Sequence, residues 1–293
     1  MEKRYFFDRP FRRAAGAAHC VRLAKTSTFA PLLLKLSMAG AFTLLFGLAP
    51  LFGAGVSIFD NGVVNAAGYT GGAVSAGEII AIFGSGLGPS TLVGLQLDSR
   101  GYVATSLSDT QVLFDGVAAP LIYTWAGQVS AVVPYAVSGK TSTQVQVVYQ
   151  GQNSNVVTMP VTNAVPGIFT TDASGVGQGA ILNQDGTVNS ASNPAAIASY
   201  ISVYATGEGQ TRPGGIDGKP ADTPAPVPIA TVTATIGGLN AQVQYAGGSP
   251  GALAGLLQVN LLVPQKIAAG PSVPIVLTIG GQKSQTGVTV SIK

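Results

Sequence analysis

The chain has 293 residues, of which 46% are hydrophobic, 9% are charged and 39 are glycine. This composition excludes a disordered chain, which combines low hydrophobicity with high net charge, and it favours a β-rich protein. The first 35 residues include eight basic and two acidic ones, whereas the rest of the chain has seven basic and ten acidic residues, a net charge of −3. The part expected to fold therefore lacks the basic surface that nucleic-acid binding needs.

An uncharged, mostly apolar run at positions 36–59 follows the basic segment. A basic flank, an apolar core and the small residues Gly53, Ala54 and Gly55 predict a signal peptide that is cleaved after Gly55. The run is also long enough to span a bilayer of about 30 Å, so an uncleaved membrane anchor over residues 1–55 is the alternative. Both interpretations predict an exported protein, secreted or in the cell envelope, which meets the membrane only through this segment if it is not cleaved.

The chain contains one histidine, His19, and one cysteine, Cys20, and both precede the predicted cleavage site. A mature protein without either residue has no Ser-His-Asp or Cys-His nucleophile and no histidine or thiolate ligand for zinc or haem iron. It also has no structural disulfide. We therefore expect no cofactor and no enzyme of these classes.

Beyond residue 60 the sequence consists of short runs in which alternate residues are β-branched or otherwise apolar. The clearest are 144–149, 231–236, 273–279 and 287–292. Such alternation predicts strands that are buried on one face. Because no segment keeps a helical period over about eleven residues, the sequence predicts an all-β fold.

Four segments of the chain recur once, in the same order. Residues 82–88 match 203–209, 114–123 match 236–245, 128–134 match 258–264, and 149–154 match 279–284. The spacing grows from 121 to 130 residues because the second copy has an extra stretch at 247–255. The repeat predicts two similar structural units in tandem.

Each copy is about as long as one β-sandwich. We expect the first sandwich at residues 56–164 and the second at 165–293. Within the second, Asp185-Gly186 predicts a hairpin turn in a lead-in segment at 178–190, and the five prolines at 212–228 predict a surface loop.

Three features of the first copy together resemble the IPT/TIG immunoglobulin-like module: the glycine-dense turn at 83–88, the Asp115-Gly116 turn, and a strand that ends at Val133-Pro134. The chain from 61 to 293 is similar to the Solibacter-type uncharacterised C-terminal domain of secreted acidobacterial proteins. The matching segments are 65–67, 76–89, 165–169, 182–189, 193–194 and 205–210. The resemblance implies an exported tandem of two immunoglobulin-like (IPT/TIG-type) β-sandwiches of uncharacterised role, and it implies no catalytic residues.

Two motifs have a chemical and a structural interpretation. The turn at 83–88 is rich in glycine like a phosphate-binding loop, but Pro89 follows instead of a helix, so we interpret it as a tight turn. Asn183, Asp185 and Asn189 place oxygen-bearing side chains at alternate positions, which is a weak pattern for calcium. Since only one of the three is a carboxylate and no bidentate Glu follows, a hairpin turn without metal is favoured.

Glycoside hydrolysis needs two carboxyl groups about 5–10 Å apart. Most acidic residues beyond residue 60 stand next to Gly, Ser or Pro, where aspartate forms turns. The candidates are Glu78, Asp98, Asp109, Asp115, Asp172, Asp185, Glu208, Asp217 and Asp222. Glu78 and Glu208 fall near the two glycine turns but at different positions of the repeat, so a carboxylate-dependent hydrolase is the least favoured function.

Trp125, with Tyr123 and Tyr135, is the best candidate for a ligand contact, because aromatic rings together can form a platform for a sugar or a partner chain. The structural alternative is that Trp125 packs in or at the edge of the first sandwich, as large aromatic residues commonly do. The segment 124–127 resembles a loop, which keeps both interpretations open.

The sequence thus favours a non-catalytic cell-surface or secreted module that binds or adheres to an extracellular polysaccharide or a surface protein through loops at the sandwich ends. The alternative is a structural spacer or envelope-attachment domain without a soluble ligand. The exposure of Trp125 distinguishes the two, because a buried indole would remove the best candidate contact.

Overall fold

A computed structural model describes residues 55–293, where the regular secondary structure is almost entirely β-strand. The predicted signal peptide or anchor, with His19 and Cys20, lies outside the described residues apart from Gly55. Between 55 and 293 no helix has the length and apolarity needed to cross a bilayer.

The first half contains ten strands and one turn of 3-10 helix at Tyr135–Val137. The strands are β1 Ser57–Asn65, β2 Ile79–Ser85, β3 Val93–Gly94, β4 Thr110–Phe114, β5 Val117–Ala118, β6 Leu121–Trp125, β7 Gln128–Val132, β8 Ser142–Tyr149, β9 Gln152–Asn153 and β10 Val157–Pro160. They form two sheets, one in the order β1-β2-β7-β6-β3 and one in the order β10-β8-β4-β5, with β9 paired to β8. Asp115 and Gly116 have φ of 51° and 84° between β4 and β5, as a type I′ turn requires.

The second half contains twelve strands. They are β11 Gly167–Ile168, β12 Gly177–Gln178, β13 Ile181–Asn183, β14 Tyr200–Thr206, β15 Thr211–Arg212, β16 Val227–Pro228, β17 Val232–Ile236, β18 Leu239–Gly248, β19 Leu257–Leu262, β20 Gly270–Ile279, β21 Gln282–Lys283 and β22 Val288–Ile292. Ten of them are linked in the order β11-β14-β19-β18-β17-β20-β22-β12, with β13 on β14 and β21 on β20, while β15 pairs with β16.

The long strand β18 connects the two layers of the second sandwich. It pairs with β17 near its beginning and with β19 further on, and its register shifts between Val243 and Tyr245. In the first half the corresponding stretch is divided into β5 and β6, and Pro120 lies between them. A proline cannot donate a ladder hydrogen bond, which accounts for the break in the first half.

The strands repeat in the way that the sequence repeat predicts. β2 and β14 lie 121 residues apart at both ends, and the neighbour orders β2-β7-β6 and β14-β19-β18 correspond. Each half encloses its own buried cluster, one built from residues between Ile58 and Met159 and one from residues between Ala164 and Ile292. The predicted all-β fold of two tandem immunoglobulin-like sandwiches is confirmed, while the boundary at 164/165 stays a prediction.

A third buried cluster lies between the two sandwiches and joins them. Ile79, Val103, Ile122 and Val132 come from the first sandwich, and Ala252, Leu253 and Leu256 come from the second. Two of these last three belong to the extra stretch at 247–255, which thus packs on the first sandwich. At Gly255, where φ is +97°, a Cβ atom would run into the carbonyl oxygen of Gly77, so the two backbones approach closely there.

The proline-rich segment 212–228 is largely exposed or half-buried, and its residues 215–218 contact the first sandwich. The Val103 N–H donates to the Gly218 carbonyl oxygen at 2.8 Å, and the Tyr135 N–H donates to Asp217 Oδ1 at 2.8 Å. A Cβ on Gly215 would collide with the Tyr135 ring. Proline content predicted the loop but not its contact with the first sandwich.

Candidate functional site

Trp125 is half-buried at the end of strand β6, where it pairs with Gln128 of β7. The predicted loop at 124–127 is shorter than expected, because Thr124 and Trp125 belong to the strand and only residues 126–127 form the turn. The indole lies over Gly127, whose Cβ, if present, would be 2.9 Å from Trp125 Cη2. Part of the ring therefore covers the hairpin and part faces solvent.

Tyr123 lies two residues before Trp125 on the same face of β6 and is half-buried. It packs against the cluster between the sandwiches, and burial raises the pKa of its hydroxyl. Tyr135 is only 8% exposed and belongs to the interface formed with the segment 212–228. Its ring is not available to a ligand in this structure, so the predicted aromatic platform is reduced to Trp125 with the exposed part of Tyr123.

The three calcium candidates serve a hydrogen-bonded hairpin. Asn189 is fully buried, and its Nδ2 donates to Asn183 Oδ1 at 2.8 Å and to the Ser291 carbonyl at 2.9 Å. Its Oδ1 accepts from the Ser291 N–H at 2.8 Å and from Gln178 Nε2 at 3.0 Å. Asp185 Oδ1 accepts from the N–H and hydroxyl of Thr187. The amide oxygens are thus occupied by protein donors, which favours the interpretation as a structural turn.

The outer face of the second sandwich carries a shallow groove of about 350 Å³. Strands β13, β14, β18 and β19 and the turn after β13 line it, with Leu182, Asn183, Gln184, Gly186, Tyr200, Ser202, Gln244 and Asn260. None of these side chains is charged, and Tyr200 is 37% exposed. Sequence reasoning missed the groove, although Tyr200, Ser202 and Tyr204 alternate along β14 and so predict one polar face.

Glu78 and Glu208 lie at the junction of the two sandwiches, with 0% and 3% of their surfaces exposed. Glu78 Oε1 accepts from Asn65 Nδ2 at 2.9 Å, and Oε2 accepts from the Ser75 N–H at 2.8 Å. Glu208 Oε2 is buried without a hydrogen-bond partner among the described residues. Burial raises the pKa of both carboxyl groups to about 8.

The exposed aspartates act in turns, as their neighbours in the sequence predict. Asp115 accepts from Lys140 Nζ at 2.8 Å, from the Thr143 hydroxyl and from the Gln144 N–H. Hydrogen bonds from Arg100 and Ser174 lower the pKa of Asp98 and Asp172, respectively. In the part of the chain between 55 and 293, no three acidic, histidine or cysteine side chains lie close enough together to hold a metal ion.

Comparison with known proteins identifies the first sandwich. Residues 66–161 match the IPT/TIG domain family, so the chain contains an immunoglobulin-like IPT/TIG domain there. No curated protein matches the sequence. The finer resemblance to the Solibacter-type domain stays a prediction.

The solved structures that match this chain are distant. SGBP-B from a complex xyloglucan utilization locus in Bacteroides uniformis is 11% identical with a TM-score of 0.25, over 80% of this chain and 49% of that one. The full extracellular region of plexin A4 is 9% identical with a TM-score of 0.26, over 81% and 18%. Domains 4–9 of the surface layer protein SbsC are 16% identical with a TM-score of 0.19, over 82% and 30%. The chain thus spans about half or less of each of these structures, and the likeness carries no conclusion about a ligand.

Proposed function

We propose that this chain is an exported, non-catalytic binding module whose ligand is a neutral polysaccharide. The observation that carries the proposal is the uncharged groove on the second sandwich, where amide side chains and one exposed tyrosine converge. Six of the eight lining residues belong to hydrogen-bonded strands, so most of the surface is formed before the ligand arrives.

The chemistry of the groove suits a neutral sugar chain. Gln244 offers a carbonyl acceptor and an NH₂ donor, and Gln184 and Asn260 offer their NH₂ groups, because Gln184 Oε1 already accepts the Tyr200 N–H at 3.1 Å and Asn260 Oδ1 accepts Gln258 Nε2 at 2.9 Å. Sugar hydroxyl groups can both donate and accept. Tyr200 adds an apolar ring beside a polar tip. An anionic ligand would find no cation among the groove residues, since none of them is charged.

Trp125 with Tyr123 is a second contact for the same ligand class, at the β6–β7 hairpin of the first sandwich. The half-buried indole is fixed over Gly127, so little conformational entropy would be lost when it contacts a ligand. The ring of Tyr135 is excluded from this contact because it is buried between the sandwiches.

The spacer or envelope-attachment hypothesis is supported by a different observation. The two sandwiches are joined by a buried apolar cluster and by hydrogen bonds across the interface, which a fixed-length structural unit would also need. A carboxylate-dependent hydrolase has the least support, because Glu78 and Glu208, the two carboxyls with strongly raised pKa, are buried away from any substrate.

The test is affinity electrophoresis of the full-length chain through gels that contain soluble neutral polysaccharides (β-glucan, xylan, galactomannan), with an anionic pectin for comparison. We expect retardation in a neutral gel and loss of at least about tenfold in affinity for Tyr200→Ala, as expected when a central aromatic contact is removed. Phe59→Ala is the matched control, because Phe59 is an aromatic residue on β1 that is 53% exposed and lies outside the groove.

The outcomes separate the hypotheses. Loss of binding in Trp125→Ala but not in Tyr200→Ala would show that the ligand binds at the β6–β7 hairpin and not in the groove. Binding to the anionic polymer alone would refute a neutral ligand. Absence of binding to every polysaccharide and to isolated cell-envelope fractions would favour the spacer.

A further inference from the structure

The turn that carries Glu208 is clamped on the chain segment that links the two sandwiches. Gly207 and Gly209 have φ of +81° and +76°. A Cβ on either would collide with the carbonyl group of Val165 or Asn163. Glu208 stands between these two close contacts, so its side chain is held at the junction.

Glu78 reaches the same junction from the first sandwich. Its partner Asn65 donates through Nδ2 both to Glu78 Oε1 and to the carbonyl oxygen of Val165, at 2.9 Å each. The next residue, Ile79, donates its N–H to the Thr206 hydroxyl at 2.8 Å, and Thr206 donates in turn to the Gly255 carbonyl at 2.8 Å. The surroundings of both carboxyls are therefore shared between the two sandwiches.

No positive charge compensates these carboxyl groups within the described part of the chain. The titratable groups that act on them or beside them are each other, Tyr135 and Asp217. Each of these is neutral or negative. An ionised carboxylate that is buried without a cation is costly unless hydrogen bonds compensate it, and Glu208 Oε2 has no such bond among the described residues.

We propose that Glu208, together with Glu78, makes the docking of the two sandwiches depend on protonation: the interface is closed while these carboxyls are neutral and opens as they ionise. Ionisation in the closed state would leave two like charges in a buried junction, whereas in the open state water solvates both. Opening separates the extra stretch 247–255 from the first sandwich and releases the backbone hydrogen bonds between the two sandwiches. This pH dependence involves no ligand, so its test is independent of the proposed function.

The working range of this switch follows from the carboxyl pKa values. Burial raises both from an ordinary 4.5 to about 8 in the closed form. The closed form is therefore favoured most at acidic pH and loses its advantage as pH rises toward 8. Asp217 is half-buried and its pKa is also raised, although its Oδ1 accepts the Tyr135 N–H, so its contribution must be measured separately.

The test is hydrogen–deuterium exchange with mass spectrometry on the full-length chain at pH 6, 7.5 and 9. The reporters are the amides of Ile79, Val103 and Tyr135, which donate across the interface to Thr206, Gly218 and Asp217. The references are central amides of β7 and β19, inside the two sheets. They show whether each sandwich stays folded, and the exchange of the urea-unfolded chain at each pH corrects for the intrinsic effect of pH on the rate.

We expect the protection of the reporter amides, measured against the exchange of the unfolded chain at the same pH, to fall about 10- to 100-fold between pH 6 and pH 9, as linkage to one or two such carboxyls predicts. Glu208→Gln, which stays neutral, should reduce the fall to the part that Glu78 contributes, and the double variant Glu78→Gln/Glu208→Gln should reduce it to about threefold or less. Asp217→Asn should retain it. Three results would each overturn the proposal: reporter protection in the wild type that does not change with pH, the full wild-type fall in Glu208→Gln, or loss of the fall in Asp217→Asn.

If the reference amides of Glu208→Gln are unprotected, that variant does not fold, and Glu78→Gln takes its place in the test. Glu78→Gln should then lose part of the pH response of the reporters. If Glu78→Gln retains the full response, the pair is not the switch.

Discussion

Glu208 occupies, in the second sandwich, the position that Leu87 holds in the first. Each residue lies two positions beyond the end of the equivalent strand, β2 in one case and β14 in the other. Leu87 is fully buried in the core of its sandwich. A turn that buries an apolar side chain in one copy therefore buries a carboxyl group in the other, against the junction of the two sandwiches.

Glu208→Leu is expected to stabilise the protein. The substitution restores the residue type of the first copy and removes a buried polar atom without a partner, a change that is worth about 1–3 kcal/mol where the new side chain fits. The free energy of unfolding from urea titrations at pH 7.5 measures it. Asp185→Leu, on an exposed turn, is the control and should not stabilise. A large loss of stability in Glu208→Leu would show that the carboxyl is needed at the junction.

The stability of the wild type should decrease from mildly acidic to mildly alkaline pH. Glu78 and Glu208 have folded-state pKa values of about 8, above their unfolded value of 4.5. The stability that these two carboxyl groups contribute is fully present below about pH 4.5 and is lost as pH rises through about 8. We expect the free energy of unfolding to be about 2–4 kcal/mol higher at pH 5.5 than at pH 8.5, allowing for partial relaxation. A flat profile in urea titrations across this range would contradict the assignment.

At more acidic pH the exposed aspartates have the opposite effect, because they make the protein less stable as pH falls. Hydrogen bonds hold the pKa of Asp98, Asp115, Asp172 and Asp185 below the ordinary value of 3.8. Their contribution is present above that value and is lost as pH falls. Because these groups are solvent-screened, the effect is small. The free energy of unfolding should therefore be largest near pH 5.

Gly255→Ala should separate the two sandwiches, whereas Gly251→Ala should not. Both glycines have positive φ, +97° and +71°, so a side chain at either position strains the backbone by at least about 1 kcal/mol. Only at Gly255 would the new methyl group meet the carbonyl oxygen of Gly77. We expect Gly255→Ala to increase the radius of gyration in small-angle X-ray scattering at pH 6, while Gly251→Ala keeps the wild-type value. Equal behaviour of the two variants would show that the extra stretch is not what holds the interface.

The sequence could predict what depends on local pattern. Alternation of β-branched residues predicted strands such as β8 and β17, and the Asp115-Gly116 and Asp185-Gly186 turns were predicted from the conformations that only a few residue types adopt readily. The repeat predicted the correspondence of β2 with β14. These features depend on neighbours within one strand or one hairpin.

The arrangement of the two sandwiches could not be predicted in this way. The extra stretch 247–255 appeared in the sequence only as a change of spacing, and its leucine, Leu253, gave no indication of which surface it would cover. Tyr135 was expected in an aromatic platform with Trp125 and Tyr123, but long-range packing places it against Gly215, 80 residues away. The same long-range packing buries Glu78 and Glu208, so no local motif marks them.

Asn189→Ala should destabilise the protein, and calcium should not change its stability. Asn189 makes four hydrogen bonds, two of them with the backbone of Ser291 in β22. Its truncation leaves the Ser291 N–H and C=O buried without those partners, at an expected cost of about 2–4 kcal/mol. Asp185→Ala, which loses only exposed bonds to Thr187, should cost about 1 kcal/mol or less. Thermal denaturation with and without millimolar Ca²⁺ separates the two interpretations of this hairpin: a calcium site would raise the Tm of the wild type and lose that increase in Asp185→Ala, whereas a structural turn leaves the Tm independent of the ion.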